Sequence, residues 1–140
     1  MQTHWAYVHK DDVENVWPSV SGLMDRGLKR GMGDSLGDTE IFDRLIEGTL
    51  EMWALIDGDD KVLGGMVLER AQRANGPVIT VMMYAGEGSD EARDTGSELL
   101  REYADKIGAY TVEAFVRPGM VSRLKNSGWR RKAIVMELER

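Results

Sequence analysis

The residues of this chain that could grip or act on another molecule lie between Glu69 and Lys132. Arg130-Arg131-Lys132 follows Trp129, lies close to Arg123 and Lys125, and forms the basic concentration of an otherwise acidic chain. Arginine forks bind carboxylates and phosphates in bidentate fashion, and tryptophan is a favoured buried anchor. Trp129, Arg130, Arg131 and Lys132 therefore form a candidate protein-binding patch, and a solvated turn between two strands is the plainer reading of the same run. Further upstream, Gly86 and Gly88 in Ala85-Gly86-Glu87-Gly88 offer a backbone turn that could wrap a phosphate, although two glycines between a strand and a helix are also ordinary loop chemistry. The acids Asp90, Glu91 and Asp94 follow at once. A carboxylate about 5 Å from a phosphate costs roughly 1 kcal/mol even with water-like screening, and the same acids are what an empty helix N-terminus prefers. With two histidines, His4 and His9, and no cysteine, neither a metal site nor a disulfide framework is expected.

These groups belong to 140 residues, which predicts a single domain, 1–140, around one core. Hydrophobic residues at 42% and charged residues at 30% exclude a disordered or collagen-like chain, and no stretch suits a membrane span. The net charge of −6 argues against nucleic-acid binding, which needs a dense Lys/Arg face. The start, Met1-Gln2-Thr3-His4-Trp5, has neither a basic nor an apolar region, so no secretory signal is expected.

Periodicity sets out the elements that must position the candidate residues. Trp5 to Val8 reads as a strand, with Asp11 or Asp12 capping a helix whose apolar face is Val13, Val16, Trp17, Val20, Leu23, Met24 and Leu28. Pro18 divides or bends that helix, and Lys29, Arg30 and Gly31 close it. Gly31 to Asp38 is a polar loop, read as a lid, a partner-binding loop or plain surface. A second helix starts at Asp38-Thr39, with Ile41, Phe42, Leu45 and Ile46 as its stripe. Leu50–Asp57 and Lys61–Arg70 flank Gly58-Asp59-Asp60 in the pattern of a hairpin. Gly64-Gly65 inside it marks a bulge or a close backbone approach. Pro77 to Tyr84 is apolar on both faces and is placed inside the sheet. A helix from Ser89 or Asp90 to Ile107 stops at Gly108, followed by a strand, Tyr110 to Val116. A short helix from Pro118 to Asn126 comes next, and a last strand, Ala133 to Glu139.

The order β, α, α, β, β, β, α, β, α, β resembles the GNAT acetyltransferase superfamily over nearly the whole chain. The resemblance is carried by Trp53-Ala54-Leu55-Ile56-Asp57 with Val62-Leu63-Gly64-Gly65, by Gly96-Ser97-Glu98-Leu99-Leu100, and by Leu124-Lys125-Asn126-Ser127-Gly128-Trp129. Val116-Arg117-Pro118-Gly119 before that Gly-Trp, in so short a chain, looks most like the degenerate GNAT-like proteins of tailed bacteriophages. The fold implied is α/β, with a mixed, mainly antiparallel sheet flanked by helices on both faces.

The resemblance implies two chemical devices. Family members hold the pyrophosphate of acetyl-CoA with a Gln/Arg-x-x-Gly-x-Gly/Ala loop at a helix N-terminus. Here Glu91 stands at the first position and Asp94 at the first glycine, and only Gly96 survives in that register. A shift of two residues restores Arg93 and puts Glu98 where a small residue is needed. Met83, Ala85, Arg93 and Gly96 are the cofactor-contacting positions if acetyl-CoA binds. The second device is proton transfer, often with a late tyrosine protonating the thiolate. That position holds Leu124, and the upstream asparagine position holds Arg117. Glu69 and Tyr84, each at a strand end, are the remaining candidates for a proton-transfer group.

The nine methionines, Met52, Met66, Met82, Met83 and Met136 among them, read as core filling or as a slot for a pantetheine arm or an apolar partner. Taken together the resemblance implies a non-catalytic binding or virion-associated accessory module that uses no cofactor. Its partner would be another protein, a phage structural protein or a second copy, and its location the host cytoplasm or the virion. The alternative is an acyl-CoA-dependent N-acetyltransferase acting on a small-molecule or protein amine.

Overall fold

A computed structural model of the chain describes residues 3–28, 38–86, 89–116 and 118–140. The elements run β1 (Thr3–Val8), a 3-10 turn (Lys10–Asp12), α1 (Val13–Leu28), α2 (Asp38–Glu47), β2 (Glu51–Asp57), β3 (Val62–Arg73), β4 (Gly76–Gly86), α3 (Asp90–Ile107), β5 (Thr111–Ala114) and α4 (Pro118–Lys125). The strands form one sheet in the order β1-β2-β3-β4-β5. Neighbours are antiparallel except β4 and β5, which are parallel and joined through α3. No helix among the described residues is long and apolar enough to cross a membrane.

Two cores lie on the two faces of this sheet. Alternation along β3 sends Val67 to one core with Val13, Val20, Ile41 and Leu45 of α1 and α2. It sends Met66 and Leu68 to the other, with Leu100 and Ala104 of α3. β4 is therefore covered on both faces, as its unbroken apolar run predicts. Met52, Met66 and Met83 are buried core filling, whereas Met136 is exposed.

Local chemistry explains most element ends. In the β2–β3 turn the buried Asp57 carboxylate accepts from the N–H groups of Asp59 and Lys61 at 2.8 and 2.9 Å, an aspartate turn that fixes the hairpin. Ser89 caps α3 by accepting from Ala92 N at 3.1 Å, and Gly108 ends it at φ 72° with its N–H on Ala104 and Asp105 oxygens. Gly64 lies against Gly86 of β4, where an added Cβ would meet Ala85 O at 2.5 Å. The close approach expected at Gly64-Gly65 is thus real, and a register shift also passes over Leu63 beside it.

Four expectations are corrected. Asp11 and Asp12 lie in the 3-10 turn, and the His9 ring caps it by accepting from Asp11 N. The turn continues directly into α1, so neither carboxylate is needed as a cap. Of the two readings at Pro18, division is overturned, since α1 is one helix from Val13 to Leu28. Strand β5 is four residues long rather than reaching from Tyr110 to Val116. Finally, residues 133–139 form no strand. β-propensity alone does not make a strand without a paired edge, and Ile134, Val135, Met136 and Leu138 point into solvent. The Gly31 to Asp38 loop and the Lys29-Arg30-Gly31 helix stop lie outside the described residues, Asp38 alone excepted as the start of α2. So do Gly88 and Arg117.

Candidate functional site

Strands β4 and β5 part company early. Val78 to Val81 pair with Thr111 to Ala114, and β4 then continues to Gly86 while β5 stops. At the parting point the β3–β4 register slips, since Val67 pairs with Met83 and Leu68 with Val81. Met82 is the extra residue of this bulge, and both Met82 and Met83 join the α1/α2 core. A bulge bends its strand and increases local twist, which turns the end of β4 away from β5. The result is a gap between the two parallel strands, opening toward the N-terminus of α3. Open α/β sheets bind ligands where neighbouring strands diverge at their carboxyl ends. Nothing in the run from Val78 to Tyr84 marks this bulge in the sequence.

The α3 side of the gap is used internally. Arg93 is 7% exposed and ion-pairs with the exposed Asp90. Ser127 donates to the Asp94 carboxylate at 2.5 Å. Trp129 Nε1 donates to Ser97 Oγ at 2.9 Å, and Arg101 donates to the Ser127 carbonyl at 2.8 Å. Three successive turns of α3 thus hold the 127–129 segment that follows α4. Gly96 faces Trp5, whose indole nitrogen lies 3.3 Å from where its Cβ would be. Trp5 Nε1 also donates to Ala92 O at 3.3 Å.

The two candidate proton-transfer groups lie on opposite faces of the sheet. Glu69 is on the α1/α2 side and accepts from Arg44 of α2 at 2.5 Å. Tyr84 belongs to the α3 side, with its ring 5.8 Å from that of Trp5. Its hydroxyl is buried without a hydrogen-bond partner among the described residues. Burial raises its pKa, partly offset by the Arg93 charge, so the phenol holds its proton firmly. Of the cofactor positions, Met83 and Ala85 turn into the α1/α2 core, while Arg93 and Gly96 belong to α3 across the sheet. The side chains of Met83 and Ala85 thus lie on one face of the sheet and that of Arg93 on the other.

In the basic run, Trp129 is half-buried against the α3 core. Arg130, Arg131 and Lys132 are exposed, and Lys132 reaches Glu113 of β5 at 2.6 Å. Glu113 also receives Arg73, and the Lys132 bond is the largest influence holding its carboxyl below the usual range. The periodicity gave no hint of a second polar cluster on the α3 side. There Tyr103 donates to both Glu51 oxygens at 2.7 Å, and Arg70 lies 3.1 Å from the same carboxylate.

No protein-family model matches the sequence, and no curated protein matches it. Solved structures do match in shape. Glucosamine-6-phosphate N-acetyltransferase from Arabidopsis thaliana superposes with a TM-score of 0.67 at 15% identity, covering 99% of each chain. An aminoglycoside acetyltransferase from an uncultured soil metagenomic sample, in complex with trehalose, gives 0.71 at 11% identity over 99% of this chain and 95% of that one. The chain has the GNAT acetyltransferase fold. A GNAT-fold predicted acetyltransferase with acetyl-CoA, from Clostridium acetobutylicum, gives 0.65 at 10% identity over 99% and 96% of the two chains.

The GNAT fold makes the β4–β5 gap and the start of α3 the place to test for a pyrophosphate. The described residues there do not fit one, Glu87 and Gly88 lying outside them. Asp90, Glu91 and Asp94 set carboxylates along the first turns, the Ser89 hydroxyl already takes the Ala92 N–H, and Arg93 is ion-paired and buried rather than extended outward.

Proposed function

We propose that this chain is a GNAT-fold protein that no longer transfers acyl groups and acts as a protein-binding module, virion-associated or accessory, of the kind it resembles among tailed bacteriophages. The observation that carries this reading is the reuse of the α3 N-terminal turns. Asp94 holds Ser127, Arg93 holds Asp90, and Gly96 seats Trp5, so the positions a phosphate would need serve internal packing instead. Leu124 in place of a tyrosine, the buried Tyr84 hydroxyl and the Arg44-bound Glu69 support it from the chemical side. The exposed Arg130, Arg131 and Lys132 beside the clamped Trp129 form the binding surface.

One observation favours the other reading, an acyl-CoA-dependent N-acetyltransferase. The Met82 bulge and the early end of β5 leave the last residues of β4 without a strand neighbour on that side among the described residues, and its backbone groups are open to an extended ligand. Calorimetric titration of the folded protein with acetyl-CoA and with CoA separates the two. No heat of binding at millimolar ligand is expected; micromolar binding would overturn the non-catalytic reading and restore the enzyme.

A further inference from the structure

Tyr7 of β1 sits directly opposite Trp53 of β2, on the sheet face that carries the α3 core. The two rings lie 5.2 Å apart and cross at 67°. The Tyr103 ring of α3 comes to 6.4 Å from that of Trp53, at 59°. Glu51 shares this face with Trp53, and its carboxylate accepts from Tyr103 at 2.7 Å and lies 3.1 Å from Arg70 Nε. Burial first, and then the Glu51 charge, raises the Tyr7 pKa, with Arg70 pulling the other way, so both charges bear on that ring too. β1 is an edge of the sheet among the described residues, and Tyr7 is 48% exposed. The group therefore opens to solvent beside Tyr7.

We propose that Tyr7, Trp53 and Tyr103, together with Glu51, bind a methylated ammonium group, carried either by a small molecule such as choline or by a trimethylated lysine. Aromatic faces carry negative charge density and attract a cation without hydrogen bonding to it. An ammonium whose N–H groups are replaced by methyls asks for no acceptor and suits such walls, and the Glu51 carboxylate adds the opposite charge. A sugar, the other usual guest of aromatic surfaces, stacks on a flat ring face, and rings crossed at 59° and 67° offer it no common platform. The proposal also accounts for Trp53 Nε1, which is buried without a hydrogen-bond partner among the described residues. An orphaned donor costs stability that phenylalanine at that place would not lose, whereas indole is the ring with the strongest pull on a cation. The net charge of −6 draws cations toward the chain. Arg70 is the competing cation, but its side chain is 55% exposed, and so open an ion pair yields its place at little cost. The site lies on β1 and β2, away from the β4–β5 gap, and holds equally for an enzyme and for a binding module.

The assigned Trp53 Nε1–H resonance of the full chain reads the site. Choline should shift it saturably at about millimolar concentration, and dimethylbutanol, the uncharged carbon isostere of choline, should not. A short peptide bearing a trimethylated lysine, set against the same peptide unmethylated, distinguishes the two sources. Tighter binding than choline assigns the site to a protein side chain, and weaker binding assigns it to a small molecule. Tyr7→Ala should weaken binding by about ten-fold and Tyr7→Phe should retain it, both with an unchanged far-ultraviolet dichroism spectrum. Arg70→Gln should tighten binding several-fold by removing the resident competitor, which a cluster with a merely structural role would not do. Any of four results would overturn the proposal: no saturable shift with either methylated cation at about ten times that concentration, an equal response to dimethylbutanol, a Tyr7→Ala variant that binds as tightly as the original, or an Arg70→Gln variant that binds no more tightly.

Discussion

Gly96, the glycine that the GNAT resemblance would set beside a phosphate, has an indole as its neighbour. Its missing Cβ leaves room for the Trp5 ring at 3.3 Å, and Trp5 in turn ties β1 to α3 through Ala92. Gly96→Glu should therefore lower the urea midpoint, because its side chain has to displace the Trp5 ring, whereas Gly96→Ala sets about 1 kcal/mol of gained helix propensity against the 3.3 Å contact. A glycine kept for a ligand would leave the midpoint of the apo protein unchanged. Tyr103 gives a pH prediction. Burial first, and then its bond to Glu51, push the phenol well above its ordinary 10.0. The unfolded chain loses this proton near 10.0 while the folded chain keeps it, so the stability is present below that pH and drains away as pH rises past it. Tyr103→Phe should cost about 1 kcal/mol near neutrality and flatten part of the alkaline fall. Urea midpoints taken across the neutral to alkaline range check both. Neither role is visible in the residue types, because a glycine in a helix and a tyrosine on an apolar face each fit several environments.

Among the elements, the hairpin and α3 follow from period and caps, and both helices of the α1/α2 layer from period alone. β2 and β3 alternate around an aspartate-glycine turn, and Ser89 and Gly108 bracket the α3 pattern. What the pattern could not supply was the partner of each edge. Gly86 illustrates this, since it looked like a loop glycine and is the last residue of β4, at φ 116°. An added Cβ there would lie 2.4 Å from both Gly64 Cα and the Leu63 carbonyl oxygen. Gly86→Ala should therefore cost several kcal/mol, through steric overlap and a backbone conformation unfavourable to alanine. Circular dichroism melts should show a variant that is largely unfolded or melts far below the original. The bulge at Met82 is the other element-level surprise. It moves Met82 and Met83 to the same face and leaves Glu69 and Tyr84 on opposite ones, which dissolves the simple picture of two strand ends meeting at one substrate.

At the scale of the whole molecule, α3 is the brace that joins β1, through Trp5, to the chain after α4, through Ser127 and Trp129. Trp129→Phe keeps an aromatic ring but loses the N–H that Ser97 accepts and part of the packing against the α3 core, and should cost about 1 kcal/mol or more in a thermal melt. A residue serving only as a partner anchor would leave that melt unmoved. The sequence by itself determined the order of the elements from β1 to α4, the two-faced apolar β4 and the close backbone approach at Gly64-Gly65. These are legible because period, turn chemistry and charge act over a few neighbouring residues. Tertiary structure alone decided that Asp94 holds Ser127, that Tyr84 is sealed away from Glu69, and that residues 133–139 stay unpaired despite their strand-like composition. Each of these depends on which distant segment lies alongside, and an unpaired edge or a buried hydroxyl is a property of that neighbour as much as of the residue itself.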